Sequence, residues 1–588
     1  MVTEDIDDPL GSYRTYGVQV AITSRKGDCG SPYMLDTSDS RRIFAIHTAG
    51  NESLIKSVGT IVTQEMLSST SQSGEVSLLH GNVLDLGHLP PVFANTKSQI
   101  VPTAIFEEVV ETTMAPAKLA RFDVPDGPMA KAISKQFGPV YHVDETTLHY
   151  ATRSYMAMLN ECAPPEEMGV LSFRRATRGD EGSDYIRPIN RMRSAGYPFV
   201  LQTKQKGKTQ WFTEDWVPNE HTKELEKHIA HQISRMEAGE IQQYVFLDTL
   251  KDETRPIAKV LEGKTRVFAA APMDFIIVFR MYFLTFLAHM MRNRIDNESA
   301  VGIKTQSEEW TLLYQKLITH GPRVIAGDFS NYDGSLNPRI LWAVFDIIEH
   351  FYALAGATEQ EQTVRRCLWS NIVNSQHLCG DIFYQLNHSQ PSGNPSTAIL
   401  NSMYNSIACR YVFYRLYAPS TDFNEYVSMV AYGDDNVLNV SALAPLFNQE
   451  NMAQIFSEFG MTYTDEDKTG SLGDKTISEV SFLKRKFAYD EEMRFCYAPL
   501  ALTSILECFN WTKKSDSELD IIIQNANSAY VELSMHPKEV FDKWSRKIAS
   551  AIRKGYNHQN FPITDWSGYR MEIRCGFAID NIAELDWS

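Results

Sequence analysis

Two apolar segments that end in acidic side chains constrain most strongly what this chain can fold into. The segment VSMVAYGDDNVLNV, residues 427–440, predicts two short strands joined by a turn that carries Asp434 and Asp435. A second apolar strand, VIAGDF, ends near Asp328, and Asp333 follows five residues later. If this strand pairs with the hairpin, Asp328 and Asp434 converge, and such carboxylates repel each other unless a cation lies between them. Two Mg²⁺ ions about 3.5–4 Å apart would relieve the repulsion and could clamp a phosphoryl transfer.

The length and the cysteines limit the class of protein. A chain of 588 residues is too long for one core, so we expect about two to four domains or subdomains. Its eight cysteines form no CxxC pair, which argues against a zinc knuckle or a disulfide scaffold and favours a reducing compartment. The acidic start, MVTEDIDDPL, predicts no signal peptide. Arg280 interrupts the apolar run 275–291, which therefore predicts a buried helix rather than a transmembrane segment.

The net charge of −17 is unfavourable for a nucleic-acid partner, but the basic residues are clustered. They are concentrated in 174–208 and again in 251–266. The pattern fits an acidic shell around a basic channel, and it equally fits solvated charged faces.

The Ser-rich stretch 68–77 predicts a linker between two modules. Short alternating segments before it indicate a small β module. After it, long helical patterns alternate with isolated strands, which indicates a large α+β module.

Further motifs follow the same order along the chain. In PSGNPSTAILNSMYN, Asn394 is a good helix N-cap and Pro395 a good first helical residue, which places Thr397 and Asn401 on one face. A capped core helix explains the same pattern. The segment KDETRPIAKVLEGKTRVF supplies basic side chains that could hold a triphosphate, although each one alone could be a solvated charge.

Taken together, the motifs resemble the RNA-dependent RNA polymerases of picornavirus-like positive-strand RNA viruses. The resemblance covers roughly residues 95–510 and includes seven motifs in the family order: SAGYP (194–198), KDETR…K…GKTR (251–266), DFSNYD (328–333), SGNPSTAILN (392–401), YGDD (432–435), EDK (466–468) and FLKR (482–485).

The resemblance implies a role for each matching position. Asp328 and Asp434 would bind two Mg²⁺ or Mn²⁺ ions with support from Asp435, and Lys468 would be the general acid that protonates the leaving pyrophosphate. The residues expected to bind the nucleoside triphosphate (NTP) are Lys259, Lys264 and Arg266 at the phosphates, and Asp333, Ser392, Thr397 and Asn401 at the ribose. The residues expected to bind RNA are Ser194, Gly196, Tyr197, Lys251, Arg255, Lys484 and Arg485.

The fold that the resemblance implies is α+β, a closed right hand of fingers, palm and thumb with an antiparallel palm sheet, plus a partial N-terminal β-barrel. The expected divisions are a protease barrel fragment (1–67), a linker (68–80), fingers (81–290), a palm with a fingers insertion near 370–390 (291–490) and a thumb (491–588). The implied partners are an RNA template and primer, NTPs and other viral replication proteins, at membrane-associated replication complexes in the host cytoplasm. Whether a protein primer starts synthesis stays open.

The N-terminal segments KGDCGSPY and FAIHTAG resemble the C-terminal barrel of the chymotrypsin-like cysteine proteases of the same viruses. There Cys29 would be the nucleophile and His47 would lie in the specificity pocket. No His precedes Cys29 to act as its base, so we expect a polyprotein segment without protease activity. Gln72-Ser73-Gly74 resembles a cleavage junction, and an ordinary linker glutamine is the alternative.

Rival functions are a reverse transcriptase, an inactive RNA-binding relic and a working cysteine protease. Asp333 together with Asn401 favours ribonucleotides over deoxyribonucleotides, and no motif or aspartate expected of an active polymerase is missing. In such proteases the His base lies on a first barrel upstream of the nucleophile, and no counterpart of that barrel precedes Cys29, which opposes the protease.

Overall fold

The structure, a computed structural model, forms two compact units, Met1–Ser77 and Leu78–Ser588, and the division falls inside the predicted linker. The structure describes residues 2–8, 11–20, 32–34, 43–51, 56–61, 79, 81–122, 124, 126–466, 470, 473–515, 517–558 and 565–576.

The described part of the first unit is one antiparallel sheet. Its strands are β1 (Val2–Asp8), β2 (Gly11–Val20), β3 (Pro32–Met34), β4 (Ile43–Asn51) and β5 (Lys56–Ile61). They lie in the order β1-β2-β5-β4-β3, so β1 and β3 are edges, and the described strands do not close into a barrel. His47 lies in β4 with its backbone opposite Gly59. Cys29, Gln72 and Ser73 lie outside the described residues.

The second unit contains an antiparallel sheet built from the acidic segments of the sequence. Its strands are β12 (Val324–Ser330), β15 (Val427–Tyr432), β16 (Asp435–Val440) and β17 (Thr462–Asp465), in the order β15-β16-β12-β17. Tyr432 is opposite Asp435 across the hairpin, and Gly327 is opposite Asn436 on the neighbouring strand. The predicted hairpin and its pairing with the strand of Asp328 are therefore confirmed.

A second, mixed sheet contains β6 (Leu84–His88), β9 (Val245–Leu250), β11 (Val267–Ala270), β13 (Gln376–Cys379) and β14 (Ile382–Gln385), in the order β11-β9-β13-β14-β6. Strand β13 runs parallel to β9, and the other neighbours are antiparallel. The remaining described strands form three pairs: β7 (Ile100–Pro102) with β20 (Trp511–Lys513), β8 (Met114–Pro116) with β10 (Thr254–Pro256), and β18 (Ala488–Asp490) with β19 (Phe495–Tyr497).

Helices supply most of the residues of the largest hydrophobic cluster. The described α-helices are α1 (Pro128–Ile133), α2 (Glu145–Glu161), α3 (Phe173–Arg178), α4 (Phe199–Gln202), α5 (Glu220–Glu237), α6 (Ile257–Leu261), α7 (Met273–Arg292), α8 (Glu309–Lys316), α9 (Tyr332–Ser335), α10 (Pro338–Leu354), α11 (Glu359–Val373), α12 (Thr397–Leu416), α13 (Phe423–Tyr426), α14 (Gln449–Glu458), α15 (Leu502–Leu506), α16 (Glu518–Ser534), α17 (Lys538–Gly555) and α18 (Trp566–Cys575).

Helix α7 is the predicted buried helix. Among the described residues it is the one helix long and apolar enough to cross a membrane. However, 94% of its apolar 18-residue stretch is buried inside the protein. Its Arg280 is fully buried and donates to the backbone oxygens of Ala176, at 2.6 Å, and Arg187. These bonds explain how one guanidinium is tolerated in the core, because a buried charge is costly without hydrogen-bond partners.

The C-terminal helices pack against a segment from the start of the same unit. Ile105 and Val109 share a hydrophobic cluster with helices α16 and α17. Strand β7 pairs with β20, and the hydroxyl of Thr103 donates to the backbone oxygen of Phe509 at 2.5 Å. These contacts join residues about 400 positions apart, and such long-range pairing is not readable from local sequence pattern.

Candidate active site

The hairpin between β15 and β16 presents two acidic residues at its turn. Gly433 has a φ of +63°, a left-handed conformation that suits glycine, and it allows the tight turn before Asp434. The Gly433 N–H donates to the hydroxyl of Ser402 on helix α12 at 2.9 Å. Asp434 is exposed, whereas Asp435 is half-buried at the start of β16.

The three carboxylates of this sheet share one electrostatic environment. Burial, followed by the charges of Asp434 and Asp328, raises the pKa of Asp435 to about 7. Nearby Lys484 and the Leu483 N–H, which donates to the Asp435 carboxylate, oppose the rise in this pKa. Asp328 and Asp434 therefore both lie close enough to Asp435 for their charges to act on its carboxyl group.

These carboxylates suit a hard cation. The described residues contain no group of three or more His, Cys, Asp or Glu side chains placed to hold a metal ion. Mg²⁺ does not require such a cage, because proteins usually bind it through one or two carboxylates together with water and substrate phosphates. Oxygen donors that repel one another, beside a basic cavity, fit that pattern.

A cavity of about 470 Å³ lies beside Asp434, within the size range of small-ligand sites. It combines basic side chains with two acidic ones and a buried amide. The residues that line it are Ala132, Lys135, Gln136, Arg255, Lys264, Thr265, Arg266, Val267, Phe329, Asn331, Tyr332, Asp333, Gly334, Asn401 and Asp434. Lys135 was not predicted from the sequence, because nothing in its local pattern places it beside a motif more than 100 residues away.

A single carboxylate, Glu253, organises the basic side of the cavity. Arg266 donates to it through Nε at 2.5 Å and through a second nitrogen, and Lys251 and Arg255 lie 3.6 and 3.9 Å away. This pairing raises the pKa of Arg266. Burial and the nearby Arg266 charge lower the pKa of Arg255. Glu253 was not singled out from the sequence, although it lies inside the KDETR motif.

Asp333 and Asn401 meet across the cavity. The Asn401 Nδ2 donates to Asp333 Oδ1 at 2.9 Å. The Asn401 Oδ1 is buried and has no hydrogen-bond partner among the described residues, so it is an acceptor available to a ligand. Asp333 is exposed to the cavity, and partial desolvation by the surrounding protein, followed by the charge of Asp434, raises the pKa of its carboxyl to about 6. The two residues that the resemblance assigns to the ribose therefore lie together, and their role there stays a prediction.

Ser392 and Thr397 use their hydroxyls on the backbone. Ser392 Oγ accepts from the N–H of Ala269 in β11 at 3.1 Å, and Thr397 Oγ1 donates to the Asn394 oxygen at 2.7 Å. Helix α12 begins at Thr397 rather than at Pro395, so the predicted N-cap was wrong by two residues. Asn394 instead accepts from the hydroxyl of Ser396 at 3.1 Å, in a short polar turn.

Three predicted lysines differ in position. Lys264 lines the cavity and pairs with Glu262 at 2.5 Å. Lys259 is exposed on helix α6 and is not among the lining residues of this cavity. Lys468 lies outside the described residues.

The SAGYP motif forms a tight turn against the start of helix α7. Gly196 has a φ of +70°, and a Cβ there would lie 2.4 Å from the Ala271 oxygen, so glycine is required. Ser194 is exposed and Tyr197 half-buried.

The FLKR motif is a two-residue turn in which Leu483 and Lys484 have φ values of +54° and +59°. Lys484 is exposed, but Arg485 is not. The Arg485 guanidinium forms a bidentate pair with Glu532 of helix α16, at 2.7 and 2.8 Å. The two neighbouring basic residues, predicted to act together, therefore have different environments.

Comparison with known proteins places this geometry in a known family. The family described as "Viral RNA-dependent RNA polymerase" matches residues 126–552. The replicase polyproteins of acute bee paralysis virus (strain Rothamsted) and Drosophila C virus (strain EB) are each 34% identical, over 96% and 88% of this chain. The match covers 32% and 33% of those proteins, so the chain spans about a third of the length of these relatives.

Among solved structures, a chain described as "Sicinivirus 3Dpol RNA dependent RNA polymerase" superposes with a TM-score of 0.69. It is 24% identical, and the match covers 84% of this chain and 99% of the other. At that identity the likeness shows the fold, which is the right-hand polymerase fold with α+β content and antiparallel sheets.

Proposed function

The chain belongs to the viral RNA-dependent RNA polymerase family, and from that membership we propose that it copies a positive-strand viral RNA genome by template-directed addition of ribonucleotides to a primer. The observation that carries the proposal is the pairing of the strand of Asp328 with the hairpin whose turn holds Asp434, next to a basic cavity that also holds the Asp333–Asn401 pair.

Polymerases of this family use divalent metal ions, and we assign the ligands here to Asp328 and Asp434, for two Mg²⁺ or Mn²⁺ ions. When bound, the ions supply positive charge that favours a deprotonated 3′-hydroxyl and compensates the charge of the leaving pyrophosphate. Asp435 supports the site from the start of β16, where it accepts from the N–H of Leu483.

The cavity has the charges that a triphosphate requires. Arg266 and Lys264 would bind the phosphates, with Glu253 holding the Arg266 guanidinium in a fixed orientation. Lys259 would join them only if its exposed side chain reaches the ligand. A guanidinium that an ion pair already holds in one orientation loses less conformational entropy on binding a phosphate than a free side chain does.

The Asp333–Asn401 pair is proposed to read the ribose. A 2′-hydroxyl can donate to the buried Asn401 oxygen, which otherwise lacks a partner among the described residues. Ser392 would act indirectly by holding the loop before α12 against β11, and Thr397 by holding the first turn of that helix.

Proton transfer and RNA contacts complete the proposal. Lys468 is assigned as the general acid for pyrophosphate, on its position in the EDK motif. The exposed Ser194 and Lys484, together with Gly196 and Tyr197, are assigned to RNA. Lys251 and Arg255 would approach RNA from the side of Glu253. We assign Arg485 to positioning of the FLKR turn through Glu532 rather than to the primer itself.

We further propose the division into fingers (81–290), palm (291–490, with a fingers insertion near 370–390) and thumb (491–588). Support for the insertion is the pairing of β13, within it, with β9. RNA template and NTPs are the substrates that the family implies. The same proposal includes a protein primer, other replication proteins and a location at membrane-associated replication complexes in the host cytoplasm. It also includes the origin of the first unit in a cysteine protease.

Primed extension on a homopolymer template tests the proposed function. Purified protein, Mg²⁺ and a poly(rA) template with an oligo(U) primer should incorporate UTP far faster than dTTP. Preferred use of dTTP would favour a reverse transcriptase, and binding of RNA without any extension would favour an inactive relic. Either result would overturn the proposal.

A further inference from the structure

The backbone on both sides of Asp434 is held by one side chain of helix α12. Asn405 donates through Nδ2 to the Gly433 oxygen at 3.0 Å and to the Asp434 oxygen at 3.4 Å. These two oxygens belong to the two peptide groups that flank the Cα of Asp434. An amide that holds both of them fixes the direction in which the Asp434 side chain leaves the exposed turn.

The orientation of the Asn405 amide is itself determined by a chain of hydrogen bonds. Its Oδ1 accepts from Asn436 Nδ2 at 2.9 Å, and Asn436 Oδ1 accepts from the hydroxyl of Tyr463 at 2.8 Å. If the Asn405 amide were turned over, its oxygen would face the backbone oxygens of Gly433 and Asp434, which also accept hydrogen bonds. Only one orientation of these side chains therefore pairs a donor with an acceptor at every step. The three residues are 0%, 2% and 4% exposed, so water has little access to replace a lost partner.

Tyr463 reaches Asn436 by lying over the strand that carries Asp328. A Cβ at Gly327 would lie 2.0 Å from Cζ of the Tyr463 ring, so the ring can take this place only because residue 327 is glycine. Gly327 directly precedes Asp328 and is opposite Asn436 in the sheet. One aromatic ring therefore connects the strand of Asp328 to β16, the strand that begins directly after Asp434.

We propose that Asn405, Asn436 and Tyr463 are positioning residues for nucleotide addition, which set the geometry of Asp434 relative to Asp328 through this chain of hydrogen bonds. The inference rests on the proposed polymerase function. None of the three residues lines the nucleotide cavity. Their loss should therefore lower the maximal rate of addition and leave the apparent NTP affinity nearly unchanged.

The test is single-nucleotide addition on a preassembled primer–template, measured by rapid quench over a range of NTP concentrations. Tyr463→Phe keeps the ring over Gly327 and removes only the hydroxyl. We expect its maximal rate to fall about fivefold, the factor that corresponds to roughly 1 kcal/mol for one hydrogen bond. Asn405→Ala should lose more, and the double variant should be no slower than Asn405→Ala alone, because both changes interrupt the same chain.

Tyr411→Phe is the matched control. Tyr411 is also buried, lies on the same helix as Asn405, and its hydroxyl accepts from the Asp144 N–H at 3.1 Å, away from the turn. Tyr411→Phe should lower the thermal midpoint by about as much as Tyr463→Phe does, and it should keep the maximal rate of nucleotide addition of the parent chain. A Tyr463→Phe variant with the parent maximal rate, or a Tyr411→Phe variant that is equally slow, would overturn the positioning role alone. A parent chain that adds no nucleotide would overturn the proposed function, and this inference with it.

Discussion

Replacing Asn401 by alanine should weaken the preference for ribonucleotides. In the parent chain the buried Asn401 oxygen lacks a partner among the described residues, and a ribose 2′-hydroxyl would donate to it. A deoxyribonucleotide leaves that oxygen unpaired, which costs roughly 1–3 kcal/mol. Since each 1.36 kcal/mol is tenfold in rate, this contact accounts for about 5- to 160-fold of discrimination. Asn401→Ala removes the oxygen and should remove that factor.

The measurement is the ratio of kcat/KM for UTP and dTTP on the same primed template. Asn371→Ala is the control, because Asn371 is also a buried helical asparagine but donates to the Cys367 oxygen, at 3.0 Å, on a different helix. The control should keep the parent ratio even if it loses stability. An unchanged ratio in an active Asn401→Ala variant would refute the reasoning.

The same pair predicts a pH dependence of sugar selection. The pKa of Asp333 is raised to about 6, so the carboxylate that accepts from Asn401 is ionised above that pH and protonated below it. Protonation of Asp333 weakens the hydrogen bond that orients the Asn401 amide. The ratio of kcat/KM for UTP to that for dTTP should therefore fall as the pH is lowered from about 7.5 to about 5.5. Taking the ratio cancels the titration of other groups that affect both substrates equally.

Three further results are expected. The pKa of Asp435 is raised from 3.8 to about 7, so its ionisation costs stability progressively as the pH rises between those values. Without divalent ions, Asp435→Asn should therefore raise the free energy of unfolding by an amount that grows between pH 3.8 and about 7 and reaches at most about 4 kcal/mol at higher pH. Urea unfolding in which this gain does not grow with pH would contradict the burial argument. Lys468→Leu should lower the maximal rate roughly 10²-fold or more with little change in NTP affinity, whereas loss of affinity alone would make Lys468 a phosphate anchor. Arg485→Leu should destabilise by roughly 1–3 kcal/mol, because the half-buried carboxylate of Glu532 loses its cation and keeps the hydrogen bond from Gln306 Nε2 at 2.7 Å. Adding Glu532→Gln should recover most of that loss together with RNA affinity, and persistent weak RNA binding in the double variant would instead indicate a primer contact.

The sequence was sufficient for the parts of the site that follow from local pattern. Apolar strands that end in acidic residues predicted the sheet, the hairpin and the approach of Asp328 to Asp434. A helical spacing predicted that Asn401 lies on a defined face, and its partner Asp333 followed from the resemblance. These features depend on strand period, turn chemistry and motif order, all of which are encoded within short segments.

The supporting contacts could not be predicted, because they join side chains that are distant in sequence. Arg485 looked like a solvated or RNA-binding cation until helix α16 placed Glu532 against it. Likewise, the glycine before Asp328 had no evident reason until the Tyr463 ring was found over it, 136 positions later in the chain. The helix start at Thr397 was misjudged for a local reason, since the side chain of Asn394 is used in its own turn.

The most direct test of the central claim is nucleotide addition by Asp434→Ala and Asp328→Ala variants on a preassembled primer–template with Mg²⁺. Removal of either carboxylate should abolish addition, while circular dichroism, thermal unfolding and RNA binding stay close to those of the parent chain. Near-normal elongation by either variant would contradict the assignment of these two aspartates as the metal ligands on which the proposed polymerase mechanism depends.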